Sequence, residues 1–491
     1  MAKFNGTNKS VPTGTNEAGG VSYDRPIKKE IATVVLNSML NGDKFYENET
    51  DRLARIETLI KSSGADSEFV AKAMVYTRTE GRLRSVSHFM ANMLAENVKG
   101  ESFLRPAFVK AIVRPDDMTE MLSLWNTRNK GKMIPNSLRR AFKTSLETKF
   151  DEYQFRKYAA SKSTVKLKDV VKLAHPSPKG FEDQTIFKRV IEDKLKTIET
   201  AQTINASKSG TERVDAYVAQ IKSGKMGYMA AVKNIKTMLE NGISEADLKV
   251  WANFITDPKR VSRSMMLPTR FLDGWRACES LSMDKFKKDI VKKALERAFV
   301  LSAGNTNIAE EGEKVAVLLD DSYSMDGQPF NTGITLMAAL LANLNKSNSV
   351  GYLWSDRARE VDVEKSAFQF ISENHCRGGG TDVSAPLKLL ISTKTYVDKI
   401  VIFTDMQMYG GYGNMGDQVK NYINKYKKDI NPNVKVLFWN LQGYSGGSPI
   451  DMEKTPEIFE VSGFSDKMLE VIPKLWSNPN FLIETIEAVK L

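Results

Sequence analysis

Apolar positions along the chain follow two different rhythms. From residue 27 to about 310 they recur at helical spacing, first as Ile31, Val34, Val35 and Met39, then as Leu53, Ile56, Leu59 and Ile60. The same spacing predicts helices from Glu68 to Thr79, Val86 to Glu96 and Asp117 to Trp125. Another begins just after Pro135 and runs from Asn136 to Leu146, with Asn136 or Ser137 as its N-cap. Later ones span Val214 to Ile221, Met229 to Glu240, Asp247 to Phe254 and Lys285 to Ala298, and Gly64, Gly81, Gly100, Gly131, Gly224 and Gly242 punctuate the series. No run of period-two alternation interrupts it. Many short helices without a strand predict stacked helical pairs, an α-solenoid whose repeats have lost any strict sequence period.

After Gly312 the rhythm changes. Val315 to Asp320, Val350 to Trp354, Lys399 to Thr404 and Val434 to Trp439 are short apolar runs rich in β-branched or aromatic residues. Such runs suit strands buried on both faces of a parallel sheet. Helical stretches lie between them at Thr332 to Leu344, Val383 to Ile391 and Asp417 to Lys427. The fold class is therefore α plus α/β, a helical-repeat domain followed by a doubly wound α/β domain. In such sheets ligands bind beyond the carboxyl ends of the strands, so the chemistry is sought there.

Composition narrows the class. Of 491 residues, 41% are apolar and 27% charged, which excludes a disordered chain. Two cysteines, Cys278 and Cys376, are too few for a disulfide scaffold and fit a reducing, cytoplasmic setting. The longest apolar stretches, such as Leu336 to Ala342, fall far short of the roughly 20 residues of a membrane helix. The Gly-, Asn- and Thr-rich residues 1–26 read as a flexible tail without the apolar core of a secretory signal. The net charge of +11 is unevenly placed: residues 1–312 hold 53 Lys and Arg against 38 Asp and Glu, the rest 18 against 22. A basic helical part concentrates polyanions, either nucleic acid or an acidic membrane surface, and an acidic α/β part repels them.

The first predicted strand runs into Asp320, Ser322 and Ser324, a D-x-S-x-S pattern. Oxygen donors at alternating positions of one turn suit a small hard cation such as Mg²⁺. Thr381 follows the glycines 378–380 ahead of a helix, and Asp405 ends the strand IVIFTD. Together these resemble the metal-ion-dependent adhesion site of von Willebrand factor A domains. That resemblance implies hydroxyl ligands from Ser322, Ser324 and Thr381, with Asp320 and Asp405 binding directly or through water. It also implies a coordination position left open for an acidic group of a partner. Asp321 and Asp382 sit beside the motif without an assigned role. Two other patterns carry less: Gly411 to Gly416 fits G-x-G-x-x-G but no acid follows for a ribose, and Gly443 to Gly447 fits G-x-S-x-G with no helix after it.

Residues 137–180 carry the densest basic pattern. Leu138, Phe142 and Leu146 mark an apolar stripe that leaves Arg139, Arg140 and Lys143 on other faces. Lys157, Lys162, Lys166, Lys168, Lys172 and His175 continue the run, with Tyr153, Phe155 and Tyr158 interleaved. Cations for phosphates with aromatic faces for unstacked bases are what recognition of single-stranded or loop RNA uses. A solvated lysine-rich face fits the same residues.

The blocks LRSVSHFM (83–90), IPNSLRRAF (134–142), FDEYQFRKY (150–158), LKDVVKLAHPSP (167–178) and LPTRFLDGWRACE (267–279) resemble the TROVE module of Ro autoantigen proteins and their bacterial relatives. The resemblance implies a HEAT-like helical-repeat ring at 27–311 closed by a von Willebrand A domain at 312–491. It implies binding of small noncoding Y RNA on the outer surface and of single-stranded 3′ ends of misfolded RNA in the central hole. His175 matches a family RNA-contact histidine, and Lys157 and Lys162 fall near two basic contact positions across a one-residue gap. Arg139, Arg140, Lys143, Lys168 and Lys172 are chosen on charge alone. The expected protein is a monomeric, cytoplasmic RNA scaffold or quality-control clamp and not an enzyme. Its Mg²⁺ site would recruit a protein such as an exonuclease. The alternative is a metal-dependent interaction scaffold with no dedicated RNA ligand. A metal-dependent nuclease fits less well, because one cation with few carboxylates does not make a two-metal site.

Overall fold

The computed structural model describes residues 12–37, 44, 46–62, 66–159, 164–195, 201–264, 266, 268–303, 308–344, 346–408, 415–444, 446–451, 455, 458–463 and 467–491. The chain forms two compact units, one of Met1–Arg52 with Asn305–Ile483 and one of Leu53–Gly304 with Glu484–Leu491. No helix among the described residues is long and apolar enough to cross a membrane.

The first unit holds a short antiparallel hairpin, β1 (Gly14–Thr15) with β2 (Val21–Ser22), and a six-stranded sheet. The sheet strands are β3 (Val315–Asp320), β4 (Ser349–Trp354), β5 (Ala358–Val361), β6 (Lys399–Thr404), β7 (Lys435–Asn440) and β8 (Ile458–Ser462). Their order is β5-β4-β3-β6-β7-β8, parallel throughout except for the β4–β5 pair. Every residue of β3 and β6 is buried, as continuous apolar runs require when helices cover both faces. The two edge strands, β5 and β8, were not predicted. AREV is short and polar, and IFEVS carries Glu460 in a run that would otherwise read as apolar.

Glu460 explains a second difference. Its carboxylate receives Arg25, 2.8 Å away and buried with it, and Arg25 also pairs with the half-buried Glu30 at 3.1 Å. Within the stretch expected to be a tail, residues 12–26 thus pack against the α/β unit. Tyr23 exchanges both backbone hydrogen bonds with Ser448 (2.8 and 2.9 Å). The helix Ile27–Leu36 buries Ile31, Val34 and Val35 and packs on β8, so it belongs to the α/β unit and not to the helical domain expected from residue 27. Periodicity fixed the helix but not the surface that receives it.

The second unit is helical throughout its described residues. Ser67–Thr79 packs on Arg84–Asn97, Leu104–Ala111 on Asn136–Thr148, and Pro268–Glu279 on Lys285–Ser302. Side chains cap the starts: Asp66 accepts from Phe69 N at 3.3 Å, Ser244 from Asp247 N at 3.1 Å and Asp284 from Lys287 N at 2.8 Å. The single helix expected from Met229 to Glu240 is two, Tyr228–Lys233 and Ile235–Glu240. Asn234 separates them, with its side-chain amide turned back on the Ala230 carbonyl at 2.9 Å in competition with the backbone ladder.

A buried ionic cluster ties three of these helices together. Asp117, fully buried near the start of Pro115–Arg128, receives Arg78 (2.9 Å), Arg84 Nε (2.8 Å) and the backbone N–H groups of Val113 and Arg114 (2.8 and 2.9 Å). Burial alone would raise its pKa, but His88, Arg78 and Arg84 together hold it below the usual carboxylate range. The helix Pro115–Arg128 in turn packs against Leu167–Ala174, which carries Lys168 and Lys172.

Candidate functional site

At the carboxyl ends of β3 and β6 the structure assembles the oxygen donors the sequence pointed to. Asp320 closes β3, and its two oxygens accept from Ser322 N (2.9 Å) and from the Thr404 hydroxyl at the end of β6 (2.7 Å). The Ser322 and Ser324 hydroxyls stand 3.3 Å apart. Asp405 follows Thr404; its Oδ1 accepts from Gln407 N (2.9 Å), while its Oδ2 is buried without a hydrogen-bond partner. The next residue, Met406, is buried at φ +65°, a left-handed conformation that costs an unbranched side chain energy and bends the chain sharply at the strand end.

The loop bearing Thr381 is held against this turn. Tyr323 N donates to the Gly379 carbonyl (3.2 Å), and Gly378 N donates to the Asp321 carbonyl (3.0 Å). A Cβ at Gly378 would lie 2.4 Å from the Tyr323 ring, and one at Gly380 2.4 Å from Asp356 Oδ1. The triple glycine is therefore a close-approach device that packs the loop preceding Thr381 onto the turn that follows β3. The two unassigned acids have structural work: Asp321 pairs with Arg359 at 3.0 Å, and Asp382 accepts from Ser384 N (2.9 Å) and pairs with Lys388 (3.2 Å).

These residues fit a divalent cation. Asp320 and Asp405 are both fully buried, and burial followed by the neighbouring Asp405 pushes the Asp320 carboxyl up to about 8. Burial likewise raises Asp405. Two buried carboxyls side by side, next to two hydroxyls and an orphaned carboxylate oxygen, are a donor set that a cation would complete. Asp405 Oδ2, Ser322 and Ser324 are the donors that could hold such an ion, with Thr381 on the loop after the glycines. Among the described residues no group of three or more His, Cys, Asp or Glu side chains could hold a metal.

Sequence reasoning missed Tyr46. Its ring packs edge-on against Tyr444 (centroids 5.4 Å apart), and burial first, then Asp405, raises the pKa of its phenol. Nothing in the chain marks it, since it lies far from the motif and in no periodic segment. The G-x-S-x-G glycines serve the same N-terminal stretch. A Cβ on Gly446 would sit 2.7 Å from Asn16 Cα, and one on Gly447 2.1 Å from the Tyr23 carbonyl oxygen. They admit a neighbouring chain segment. Residues 411–414 of the other glycine pattern, and Ser445, lie outside the described residues.

In the helical unit, Arg140, Lys143, Lys157, Lys172 and His175 are exposed. Arg139 is half-buried and bonds Asn136 Oδ1 (2.9 Å), and Lys168 is half-buried against Asp193 (2.7 Å). Lys143 stays 3.9 Å from Glu147. The helices Asn136–Thr148 and Leu167–Ala174 pack on one another, which brings their cations onto neighbouring elements. His175 ends the second helix at φ +48°. Lys162 lies outside the described residues. The aromatic reading needs correction. Phe155 is fully buried among Phe150, Phe181 and Phe187, and the Tyr158 ring is taken up by two cations, Arg114 (5.4 Å) and Lys157 (5.5 Å). Of the three, only Tyr153, 56% exposed, offers a face to a base.

The chain is similar to the crystal structure of the Ro (RSR) protein of Deinococcus radiodurans, with a TM-score of 0.61 and 14% identity over 92% of this chain and 100% of that one. At that identity the likeness establishes the fold. No curated protein sequence matches significantly. The family model described as the TROVE domain matches residues 28–220 and 215–320, more than half of the chain, and carries RNA binding with it. The chain belongs to the TROVE domain family.

Proposed function

We propose that the protein is a noncoding-RNA scaffold or clamp that holds a Y-like RNA and the single-stranded 3′ ends of misfolded RNA, without catalysing a reaction on them. The observation that carries this reading is the set of exposed cations, Arg140, Lys143, Lys157 and Lys172, together with exposed His175, on packed or adjoining helices of a TROVE domain. Capture would be electrostatic: each cation that neutralises a phosphate releases condensed counterions, so affinity falls steeply as salt rises. Exposed Tyr153 adds a stacking face. At the strand ends, Asp320, Ser322, Ser324, Thr381 and Asp405 would hold Mg²⁺. That cation would supply a Lewis-acidic docking point for an acidic side chain of a protein partner.

The test is anisotropy of a labelled single-stranded oligoribonucleotide at several salt concentrations, with Arg140→Gln and Lys172→Gln combined. Losing two phosphate contacts should flatten the log–log salt slope by about 1.4 and weaken binding about fifteenfold near 0.15 M salt. An unchanged slope and affinity in the double variant would remove the basic-surface account.

A further inference from the structure

The carboxylate of Asp405 takes its geometry from the sharp turn that follows β6. Met406 sits there at φ +65°, a conformation that persists in a non-glycine residue only where its surroundings over-determine it. Part of that surrounding is local. The Thr404 hydroxyl accepts from Met406 N (3.2 Å) and donates to Asp320 Oδ2 (2.7 Å), and Gln407 N donates to Asp405 Oδ1 (2.9 Å). With Oδ1 engaged by Gln407, Oδ2 is the oxygen left without a hydrogen-bond partner. Moving residues 406–408 would therefore move the candidate ligand.

The rest comes from the N-terminal hairpin, about 390 residues away in sequence. Asn16 Nδ2 donates to the Met408 carbonyl (2.9 Å), and Glu17 N donates to Gln407 Oε1 (2.7 Å). The Asn16 amide is fixed in that sense, because its Oδ1 accepts from Gly20 N (2.7 Å). The backbone closes the same turn, with Asn16 N donating to the Gly20 carbonyl (2.8 Å) and Gly19 N to the Asn16 carbonyl (2.9 Å). Gly20 comes so close that a Cβ there would lie 2.0 Å from the Met408 oxygen. Asn16, Gln407 and Met408 are all buried, so water does not compete for these bonds.

We propose that Asn16 and Gln407 are positioning residues for the cation: the hairpin turn clamps residues 406–408 so that Asp405 presents Oδ2, and cation affinity depends on the N-terminal segment. The role presupposes the divalent-cation reading of Asp320, Ser322, Ser324 and Asp405. Without the clamp, a cation would have to order the turn as it bound, a cost that preorganisation removes.

The experiment titrates the full chain with Mn²⁺, whose free resonance is lost on binding, at a temperature where circular dichroism shows every variant folded. The binding counted is the part abolished by Asp405→Asn. Asn16→Ala removes both bonds of the amide. Gln407→Met keeps the side-chain length and the backbone donor to Asp405 while removing the acceptor for Glu17 N, which guards against a folding defect in the alanine variant. Each should weaken Mn²⁺ binding roughly three- to tenfold, the factor one hydrogen bond contributes. Thr13→Val cuts only an exposed bond at the far end of the hairpin, from Asp24 N to Thr13 Oγ1 (2.6 Å), and should bind Mn²⁺ as the parent does. Equal affinity in the parent, Asn16→Ala and Gln407→Met, or a loss of the same size in Thr13→Val, overturns the positioning role alone. A free-Mn²⁺ signal undiminished by the parent chain, or equal in the parent and Asp405→Asn, overturns the cation reading and the positioning role together.

Discussion

Replacing Asp117 with asparagine should unfasten the helical unit at a predictable cost. The carboxylate is fully buried and faces two arginines and two backbone N–H groups, so an amide of the same shape keeps the packing and removes the charge. Removing one member of a buried ion pair costs about 3–5 kcal/mol, because the partner is left desolvated. Two features place this case at the low end. Arg84 retains Asp116 and Glu120, both at 2.9 Å, and the Arg78 side chain is 11% exposed and can reach water. A loss of about 3 kcal/mol in a unit of this size corresponds to roughly 6–12 °C. Scanning calorimetry of the full chain should show the helical transition displaced by that amount. A shift under about 2 °C would refute the reasoning, since an uncharged amide would then satisfy both arginines equally well. A pH series carries the sign. Burial pushes Asp117 and Glu120 up, but the surrounding cations outweigh it, leaving Asp117 depressed and Glu120 at about 2. Their stabilisation is complete above the unfolded carboxylate value near 4 and drains away as pH falls through the depressed folded values. The Asp117→Asn variant should have the flatter acid limb.

Two further outcomes follow from the contacts. Lys168 is partly neutralised by Asp193, so Asp193→Ala should release a cation and tighten binding of the labelled oligoribonucleotide about two- to fourfold near 0.15 M salt; weaker binding would show that Asp193 orders the surface. Mg²⁺ at a hundredfold excess over its dissociation constant should stabilise the α/β unit by about 2.7 kcal/mol in a thermal melt. In Asp405→Asn, which removes the charge at the orphaned oxygen, that stabilisation should vanish, and its persistence would place the cation elsewhere.

The α/β core was legible because its buried strands are uninterrupted apolar runs, and the donors at their ends are close to motif order in the chain. Thr404 could have been read with them, since it immediately precedes Asp405 at a strand end. Edge strands β5 and β8 were not legible, because a strand paired on one side needs no continuous apolar run. The attachment of residues 12–37 was hidden for another reason. It rests on glycine clearances, a buried Arg25–Glu460 pair and backbone bonds to Ser448, none of which has a local signature. In the basic segment, charge predicted exposure well for Arg140 and Lys172 and poorly for Lys168, whose partner Asp193 lies 25 residues away. Phe155 shows the limit of reading aromatics as stacking platforms. Interleaving with lysines marks a helix with one buried face as readily as a base-binding one.

On the proposed reading the helical unit grips RNA by its phosphates. Ultraviolet crosslinking of RNA retained by the protein in its native cell, with the crosslinked peptides read by mass spectrometry, tests it most directly. The account predicts small structured RNA joined to peptides within residues 136–175, with Tyr153 and His175 among the modified side chains. Crosslinks confined to residues 312–483, or no RNA retained at low salt, would contradict it.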